Sequence, residues 1–323
     1  TDTRTYPTPR SVLGGVLPVS NDGTVPDGVE QTGYPMPYAD VTSDGSLVFT
    51  DGNGNHPVCL DGAAATSLSG RFVRIDDFCG AMNESSSGDL DLGSGSGTDC
   101  DVPNPGISSP GNTHAARTVY FELNRNAEQA RGQLPANSWL QDQLTASVNI
   151  PDIGTGQLIC NAFWDEKTVN FVLSGEASPG MVCSNTGELA GVVDHEWGHG
   201  LDEHDGGGFD NTSEAYADVA AIFAARRSCV GESFYNDGTT CSSYGDTCLT
   251  CTGLRDMDFA QRMANTPATP QGFVLSRCIS GGGPCGGQVH CEAFPIAEAV
   301  YDLAARDLPA MGIDADSAWQ LAE

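Results

Sequence analysis

The chain of 323 residues is predicted to be an α+β protein, because strand-like and helix-like segments occupy different parts of it. Short apolar runs with strand character, such as Ser46–Thr50 and Arg71–Ile75, lie in its first quarter and are separated by turn sequences. From His114 onwards, apolar residues recur mainly at helical spacing. A hydrophobic content of 39% suffices for a buried core in a chain of this length.

Composition divides the chain into three regions. Residues 1–83 form a β-rich N-terminal region, and residues 84–112 form a linker, because Ser, Gly and Pro dominate there and leave little to bury. Residues 113–323 are expected to form one domain. Because Asp316–Glu323 contains helix-forming residues and no terminating signal, we expect that domain to continue beyond Glu323.

The elements of this domain follow from its periodicity, which turns helical at His114. Asn185–Glu188 resembles a capping box at the start of a later helix, and Gly200 is expected to end that helix. The other predicted elements are strands at Leu144–Ile150 and within residues 157–173, helices at about 186–200 and 213–227, an irregular Cys- and Gly-rich stretch over 228–288, and a helix at about 291–306.

The charge balance restricts the partners. The chain has 14 Lys and Arg against 43 Asp and Glu, a formal net charge of −29, so phosphate surfaces would repel it. We therefore expect no nucleic-acid partner. No apolar run approaches the ~20 residues of a spanning helix, so we also expect no membrane insertion.

Twelve cysteines indicate an exported protein with up to six disulfides, because cytosolic enzymes rarely carry so many. The alternative is a zinc site that includes Cys248–Cys251, which reads Cys-Leu-Thr-Cys but has no second CxxC partner. We favour disulfides and an extracellular, secreted location. Connectivity and oligomeric state do not follow from the sequence.

His195–His199, with the sequence His-Glu-Trp-Gly-His, is the most informative segment. On a helix, His195 and His199 lie on one face, so both imidazoles can bind one metal ion. Glu196 lies about 100° around the axis, where it can act as a base for water beside the metal without ligating it. The segment therefore predicts a catalytic zinc site.

A catalytic zinc site needs a third protein ligand and one open position. We select Glu214, which falls in the first turn of a predicted helix capped by Asn211–Ser213. Asp218 lies one turn later and can accept the second ring N–H of His195; the alternative is a solvated helix charge. His204 is a less favoured third ligand, because the longer HExxHxxGxxH pattern requires His one position later.

With Glu214–Asp218 reading Glu-Ala-Tyr-Ala-Asp, these motifs resemble the gluzincin metallopeptidases, especially the thermolysin and fungalysin families. Three further segments resemble family motifs in the same order: Asn161–Asp165, Gly253–Met257 and Gly287–His290. The resemblance covers about residues 112–310 and implies a thermolysin-like two-lobed fold. A zinc cleft would then separate a β-containing lobe from a helical lobe.

The resemblance also implies roles in a zinc-dependent endopeptidase acting on polypeptides. His195, His199 and Glu214 would ligate zinc, with Glu196 as general base and then proton donor. His290 would hydrogen-bond the oxyanion of the tetrahedral intermediate. The resemblance further implies that Arg255 holds a substrate carbonyl, and that Asn161 and the backbone of Ala162 bind the extended peptide.

The sequence departs from the family at several points. No tyrosine matches the second oxyanion donor, and Phe209 is the nearest aromatic residue. The acid that orients the oxyanion-binding histidine is also missing, with Cys285 in that region. Calcium ligands have no clean counterparts, so disulfides are expected to replace them, although calcium stays a second candidate cofactor.

Asp51, Asn53 and Asn55 have the spacing that opens a calcium loop. Position 62 is Gly instead of the required Glu, which favours a β-turn. The missing tyrosine and orienting acid, together with the additional β-rich region, leave an alternative function: a catalytically weak or inactive structural or assembly module with the same fold.

Overall fold

The computed structural model describes residues 10–18, 29–56, 62–94, 100, 107, 109–152, 158–206, 213–242, 247–262 and 288–323. It confirms a mixed α+β protein. The strands are β1 (Arg10–Val16), β2 (Gln31–Pro35), β3 (Asp40–Ser43), β4 (Ser46–Phe49), β5 (Asn55–His56), β6 (Ala64–Thr66), β7 (Val73–Asp77), β8 (Glu84–Ser86), β9 (Leu90–Asp91), β10 (Leu144–Ile150), β11 (Ala162–Trp164), β12 (Thr168–Val172), β13 (Gly175–Ser178), β14 (Met181–Cys183), β15 (Cys229–Val230) and β16 (Arg255–Asp256).

The helices follow mostly in the second half of the chain. They are α1 (His114–Gln133), α2 (Ala190–His204), α3 (Ser213–Ala225), α4 (Val289–Asp302), α5 (Leu308–Ala310) and α6 (Ala315–Ala322), and a π-helical turn at Leu303–Asp307 joins α4 to α5. The Thr113 hydroxyl accepts a hydrogen bond from the backbone N–H of Ala116 and so caps α1.

The sheet that supports the site has the strand order β11-β12-β10-β7. β10 pairs in parallel with both β7 and β12, whereas β11 runs antiparallel to β12 at one edge. Two other sheets have the orders β2-β1-β5, with β9 beside β1, and β4-β3-β6-β8. β13 pairs with β14 and β15 with β16.

Two predicted boundaries differ from the structure at helix α2. Asn185 accepts a bond from the N–H of Gly187 and caps a short 3-10 turn at Thr186–Glu188, so it does not cap α2. Gly200 does not end α2, which continues to His204. The indole of Trp139 packs against Gly200, 2.8 Å from where a Cβ would lie, so this position inside the helix has no room for a side chain.

The predicted strands agree with the structure in part. Strands at Leu144–Ile150 and Ser46–Phe49 lie where predicted, whereas the predicted segment 157–173 contains two strands. The carboxylate of Asp165 accepts bonds from the backbone of Lys167 and Thr168 and so forms the turn between them.

The segment predicted as a linker contains β8 and β9. Polar Glu84 is buried, and its carboxylate accepts hydrogen bonds from both the backbone N–H and the hydroxyl of Ser109. Composition missed this because a few features hold the segment: its backbone pairing, the buried carboxylate of Glu84 and the buried side chains of Leu90 and Leu92. The sheet also joins β7 to β10, so a boundary at residue 83 divides strands that pair with each other.

Buried apolar side chains form two large clusters. One lies among the strands, α1 and α2, and includes Tyr120, Phe171 and Trp197. The other lies among α3, α4 and α6, and includes Ile222 and Phe294. Helices α2 and α3 pack together, and the predicted metal ligands lie on these two helices.

Four disulfides join described cysteines: Cys79–Cys100, Cys160–Cys183, Cys229–Cys251 and Cys241–Cys248. This confirms the expectation of disulfides. The sulfurs of Cys241, Cys248 and Cys251 lie close enough to hold a metal ion, but all three are already in disulfides and so are not thiolates. None of the helices within the described ranges is long and apolar enough to span a bilayer.

Candidate metal centre

The site depends on a close approach of α2 to α3. A Cβ at Gly198 would lie 2.8 Å from the Cα of Ala217 and 2.9 Å from the Cβ of Ala220. Glycine inside a helix costs up to about 1 kcal/mol of helix stability relative to alanine, yet any side chain here would separate the two helices. Gly198 therefore places the α2 histidines within reach of the α3 carboxylates.

The three predicted ligands converge as expected. Glu214 Oε2 lies 3.3 Å from Nε2 of His195 and 3.6 Å from Nε2 of His199. The two imidazole rings are 4.8 Å apart between centroids and nearly perpendicular. One carboxylate oxygen thus faces the two imidazole nitrogens that the helical spacing was predicted to bring together.

The other ring nitrogen of each histidine is held by α3. Nδ1 of His195 lies 2.9 Å from Oδ1 of Asp218, the contact that the sequence predicted. Asp218 is fully buried. Nδ1 of His199 lies 2.9 Å from the hydroxyl of Ser213, which had been predicted only as part of a helix cap. A carboxylate only accepts, so His195 donates from Nδ1 to Asp218, and Nε2, directed to Glu214, is the nitrogen whose proton a metal ion would displace.

Arg255 donates to both carboxylate oxygens of Asp218. Its Nε lies 2.9 Å from Oδ2 of Asp218, and one terminal nitrogen lies 3.4 Å from Nδ1 of His195. The guanidinium is 4% exposed. It therefore fixes the carboxylate that orients His195, a contact that sequence reasoning did not predict for this residue.

These contacts shift several pKa values. Burial lowers the pKa of His195, but Asp218 and Glu214 raise it to about 9. Burial alone would raise the pKa of Glu214, yet the neighbouring His195 and His199 rings hold it well below its usual range. Burial likewise opposes ionisation of Asp218, but Arg255 keeps its pKa below normal. Both carboxylates are therefore anionic at neutral pH.

Glu196 lies on α2 between the two histidines and is 6% exposed. Its burial raises its pKa, and the nearby imidazoles of His195 and His199 only partly offset that effect. A carboxylate with a raised pKa holds a proton more readily than a solvated one. This environment suits a proton-transfer group beside the ligands.

His290 reaches the site from the first turn of α4. Its Nε2 lies 3.1 Å from Glu214 Oε2, and its Nδ1 lies 2.6 Å from the side-chain nitrogen of Gln288. Burial and then the charge of Arg255 lower the pKa of His290 to about 4. The ring is therefore neutral at pH 7, and Gln288, which sequence reasoning missed, contacts it directly.

The predicted substrate-binding strand lies beside the site. β11 includes Ala162 and forms the edge of its sheet within the described chain, next to α2, where the Trp164 indole donates to Glu203. Asn161 is exposed, and its carbonyl accepts a bond from the Thr186 hydroxyl. Its predicted contact with substrate stays a prediction.

Two alternative metal ligations are not supported. The His204 ring stacks on Trp139, with centroids 5.1 Å apart, and its Nδ1 lies 2.8 Å from the Gly200 carbonyl. Asp51 accepts bonds from the backbone of Asn53 and Asn55, which is a turn. Phe209 lies outside the described residues, as do Cys59, Cys278 and Cys285, three of the four cysteines that are not in these disulfides.

A buried polar network supports α2 just before the motif. The carboxylate of Asp194, fully buried, lies 2.7 Å from the side-chain nitrogen of Asn126 and 3.5 Å from Arg125. Arg125 also donates to the carbonyl of Ala224 on α3. This network ties α1, α2 and α3 together, and no local motif in the sequence marks it.

The donor set fits a divalent metal ion. Glu214 Oε2 is buried and has no hydrogen-bond partner among the described residues, although three imidazole nitrogens lie 3.1–3.6 Å away. A cation at this point would satisfy that oxygen. Imidazole and carboxylate are the ligands that zinc takes in catalytic sites.

No protein-family model matches the chain, and a search of curated proteins finds no match either.

Proposed function

We propose that this protein is a secreted zinc-dependent endopeptidase. The observation that carries the proposal is the convergence of His195, His199 and Glu214, with Asp218 behind His195 and Glu196 buried beside them. Two imidazoles and one carboxylate form the three-ligand set of a catalytic zinc site, which leaves one position for the reaction. The donor set supports zinc over calcium, which prefers oxygen ligands.

In this proposal His195, His199 and Glu214 hold zinc. When bound, zinc makes water more acidic and polarises the carbonyl of the peptide bond. The Glu196 carboxylate takes a proton from the attacking water and delivers it to the leaving amine nitrogen. Asp218 holds the His195 proton on Nδ1, and Arg255 holds Asp218.

The substrate is proposed to be an extended polypeptide that pairs with β11. The backbone of Ala162 and the side chain of Asn161 would bind it by strand addition, with Arg255 holding a substrate carbonyl. His290 would donate a hydrogen bond to the oxyanion, a contact typically worth about 3 kcal/mol in the transition state. These assignments follow the resemblance to gluzincins, including its two-lobed fold with the cleft between the lobes.

Secretion is proposed from the disulfides. Four of them join described cysteines in a strongly acidic chain. Such bridges persist in oxidising compartments and rarely in the cytosol.

One observation favours the alternative of an inactive structural module. The ligating atoms of His195, Glu214 and His290 all lie within 4.8 Å of one another, so His290 is in reach of the same ion. A fourth protein ligand would close the site, as in structural zinc sites. The role of His290 therefore separates the two functions.

The direct test of the enzyme is Glu196→Gln. This change keeps the size of the side chain and the three ligands, so zinc content should stay at one per chain. Cleavage of casein or a quenched fluorescent peptide should fall by about 10²–10⁴-fold, because the proton-transfer group is lost. A chelator should abolish the activity of the unaltered protein, and added zinc should restore it.

Glu128→Gln on α1 is the matched control. Glu128 bonds to Tyr38 and Arg131 at an exposed position, so its loss should leave cleavage unchanged. Undiminished cleavage by the Glu196→Gln protein would overturn the mechanism. A zinc-loaded protein without any peptidase activity would favour the structural module.

A further inference from the structure

The side chain of Gln288 makes two different kinds of contact at the start of α4. Its Oε1 accepts hydrogen bonds from the backbone N–H groups of His290, at 2.7 Å, and Cys291, at 3.2 Å. Backbone N–H groups can only donate, so these two bonds fix which end of the amide is oxygen. The other end, the NH₂ group, therefore faces His290.

This orientation determines the protonation of the His290 ring. The Gln288 nitrogen lies 2.6 Å from Nδ1 of His290, and an amide NH₂ only donates. Nδ1 must then be the acceptor, without a proton. A neutral imidazole carries its single proton on the other nitrogen, so Nε2, which points toward Glu214, bears the hydrogen.

A protonated Nε2 cannot ligate a metal ion, because its lone pair is occupied. His195 shows the opposite arrangement, since its Nδ1 donates to Asp218 and Nε2 is the nitrogen whose proton a metal ion can displace. Two histidines around one carboxylate oxygen thus have opposite polarity. The difference comes from the residue behind each ring.

We infer that Gln288 is a positioning residue that holds His290 as the Nε2–H tautomer, which keeps His290 off the metal and presents a hydrogen-bond donor to the substrate. The donor role rests on the proposed function; the tautomer and the exclusion from the metal do not.

The tautomer can be measured in the whole protein labelled with ¹⁵N-histidine, loaded with zinc and followed by long-range ¹H–¹⁵N correlation spectra. A His290→Gln sample assigns the signals. The expected result is a protonated, pyrrole-type Nε2 and an unprotonated Nδ1 in His290, without a shift of Nε2 from metal coordination. A proton on Nδ1, or a zinc-bound Nε2, would overturn the inference.

Gln288→Glu isolates the donor. The carboxylate keeps an oxygen to cap α4 but replaces the NH₂ donor by an acceptor, so the His290 proton should move to Nδ1. We expect kcat to fall by about 10- to 100-fold with little change in KM, a range typical of residues that orient a functional histidine. Gln288 acting only as a helix cap predicts an unchanged tautomer and kcat, and that result would overturn the inference.

Failure of the proposed function gives a different pattern. A protein that lacks peptidase activity but shows the Nε2–H tautomer in His290 and a zinc ion free of His290 would support the inference and reject the peptidase. A loss of kcat in the Gln288→Glu protein with no change of tautomer would contradict the inference and leave the peptidase intact.

Discussion

The two sides of the site hold their histidines in opposite ways. On the α2–α3 side, a buried carboxylate accepts the Nδ1 proton of His195, so the nitrogen facing Glu214 can give up its proton to a metal ion. On the α4 side, an amide donates to Nδ1 of His290, so the nitrogen facing Glu214 carries a proton. The same side chain at similar distances from the same oxygen is therefore suited to bind a metal ion in one place and to donate a hydrogen bond in the other. What lies behind the ring, rather than its distance from the centre, decides its role.

The largest difference in zinc affinity should separate variants that lack His195 from variants that lack His290. His195→Ala should weaken zinc binding by more than about 100-fold, because a lost ligand costs more than a lost partner of a ligand. His290→Ala should leave zinc affinity within about threefold while lowering cleavage. Competition with a chromophoric chelator measures both. Equal losses of zinc affinity in the two variants would contradict the different roles given to His195 and His290.

Asp218→Asn weakens the partner behind His195. The amide can present a donor to Nδ1 and so favours the wrong tautomer, which should lower zinc affinity by about 10- to 100-fold. Ser213→Ala removes a neutral hydroxyl from His199 and should have the smaller effect. Gln288→Glu is the comparison on the α4 side; because it would free Nε2 of His290 to bind the ion, its zinc affinity should not fall below that of the unaltered protein. A zinc affinity of Asp218→Asn equal to that of the unaltered protein would contradict this account of His195.

Gly198→Ala tests whether close packing of α2 on α3 builds the ligand side. The added methyl would meet the backbone of Ala217, so the free energy of unfolding should fall by about 1–3 kcal/mol. Gly132→Ala in α1 is the control, because described residues leave space around that position; it should be neutral or stabilising by up to about 1 kcal/mol. Denaturant unfolding of both proteins measures the difference, and similar stabilities would show that the helices have room between them.

The smallest effect is expected at His114, a histidine away from the site, whose contribution to the free energy of unfolding should depend on pH. Burial lowers the pKa of His114, but Glu188 and, more weakly, Glu30 outweigh both burial and Arg117, so its pKa is raised above 6.5. Its charged form is therefore favoured by folding, and its stabilisation is present below about pH 6.5 and lost as pH rises through the folded-state pKa.

His114→Gln should accordingly reduce the free energy of unfolding by about 1 kcal/mol in mild acid and by less in alkali, because the charged hydrogen bonds are present only when the ring is protonated. Urea unfolding from about pH 6 to pH 9 measures this. A difference that grows toward alkaline pH would have the wrong sign for this account.

Local sequence patterns predicted which side chains of α2 and α3 lie close together. The spacing of His195 and His199 on one helix, and of Glu214 and Asp218 on another, follows from helical periodicity alone. The structure places these four side chains together, and it also shows α+β architecture and disulfides, as predicted. Whether they bind zinc and cleave peptides stays a prediction.

The remaining contacts have no local signature in the sequence. The bond of Gln288 to His290 has no recognised motif, and the contact of Arg255 with Asp218 spans 37 positions. Gly198 looks unfavourable for a helix until the neighbouring helix is known. The strands within the expected linker were missed because composition registers neither backbone pairing nor the burial of single leucines such as Leu90 and Leu92.

The number of imidazoles bound to zinc tests the central claim most directly. X-ray absorption at the zinc edge of the zinc-loaded protein distinguishes two from three histidine ligands through scattering from the rings. We expect one zinc ion with two imidazoles, one carboxylate and one further oxygen from solvent. Three imidazoles without a solvent oxygen, or no stoichiometric zinc, would contradict the account.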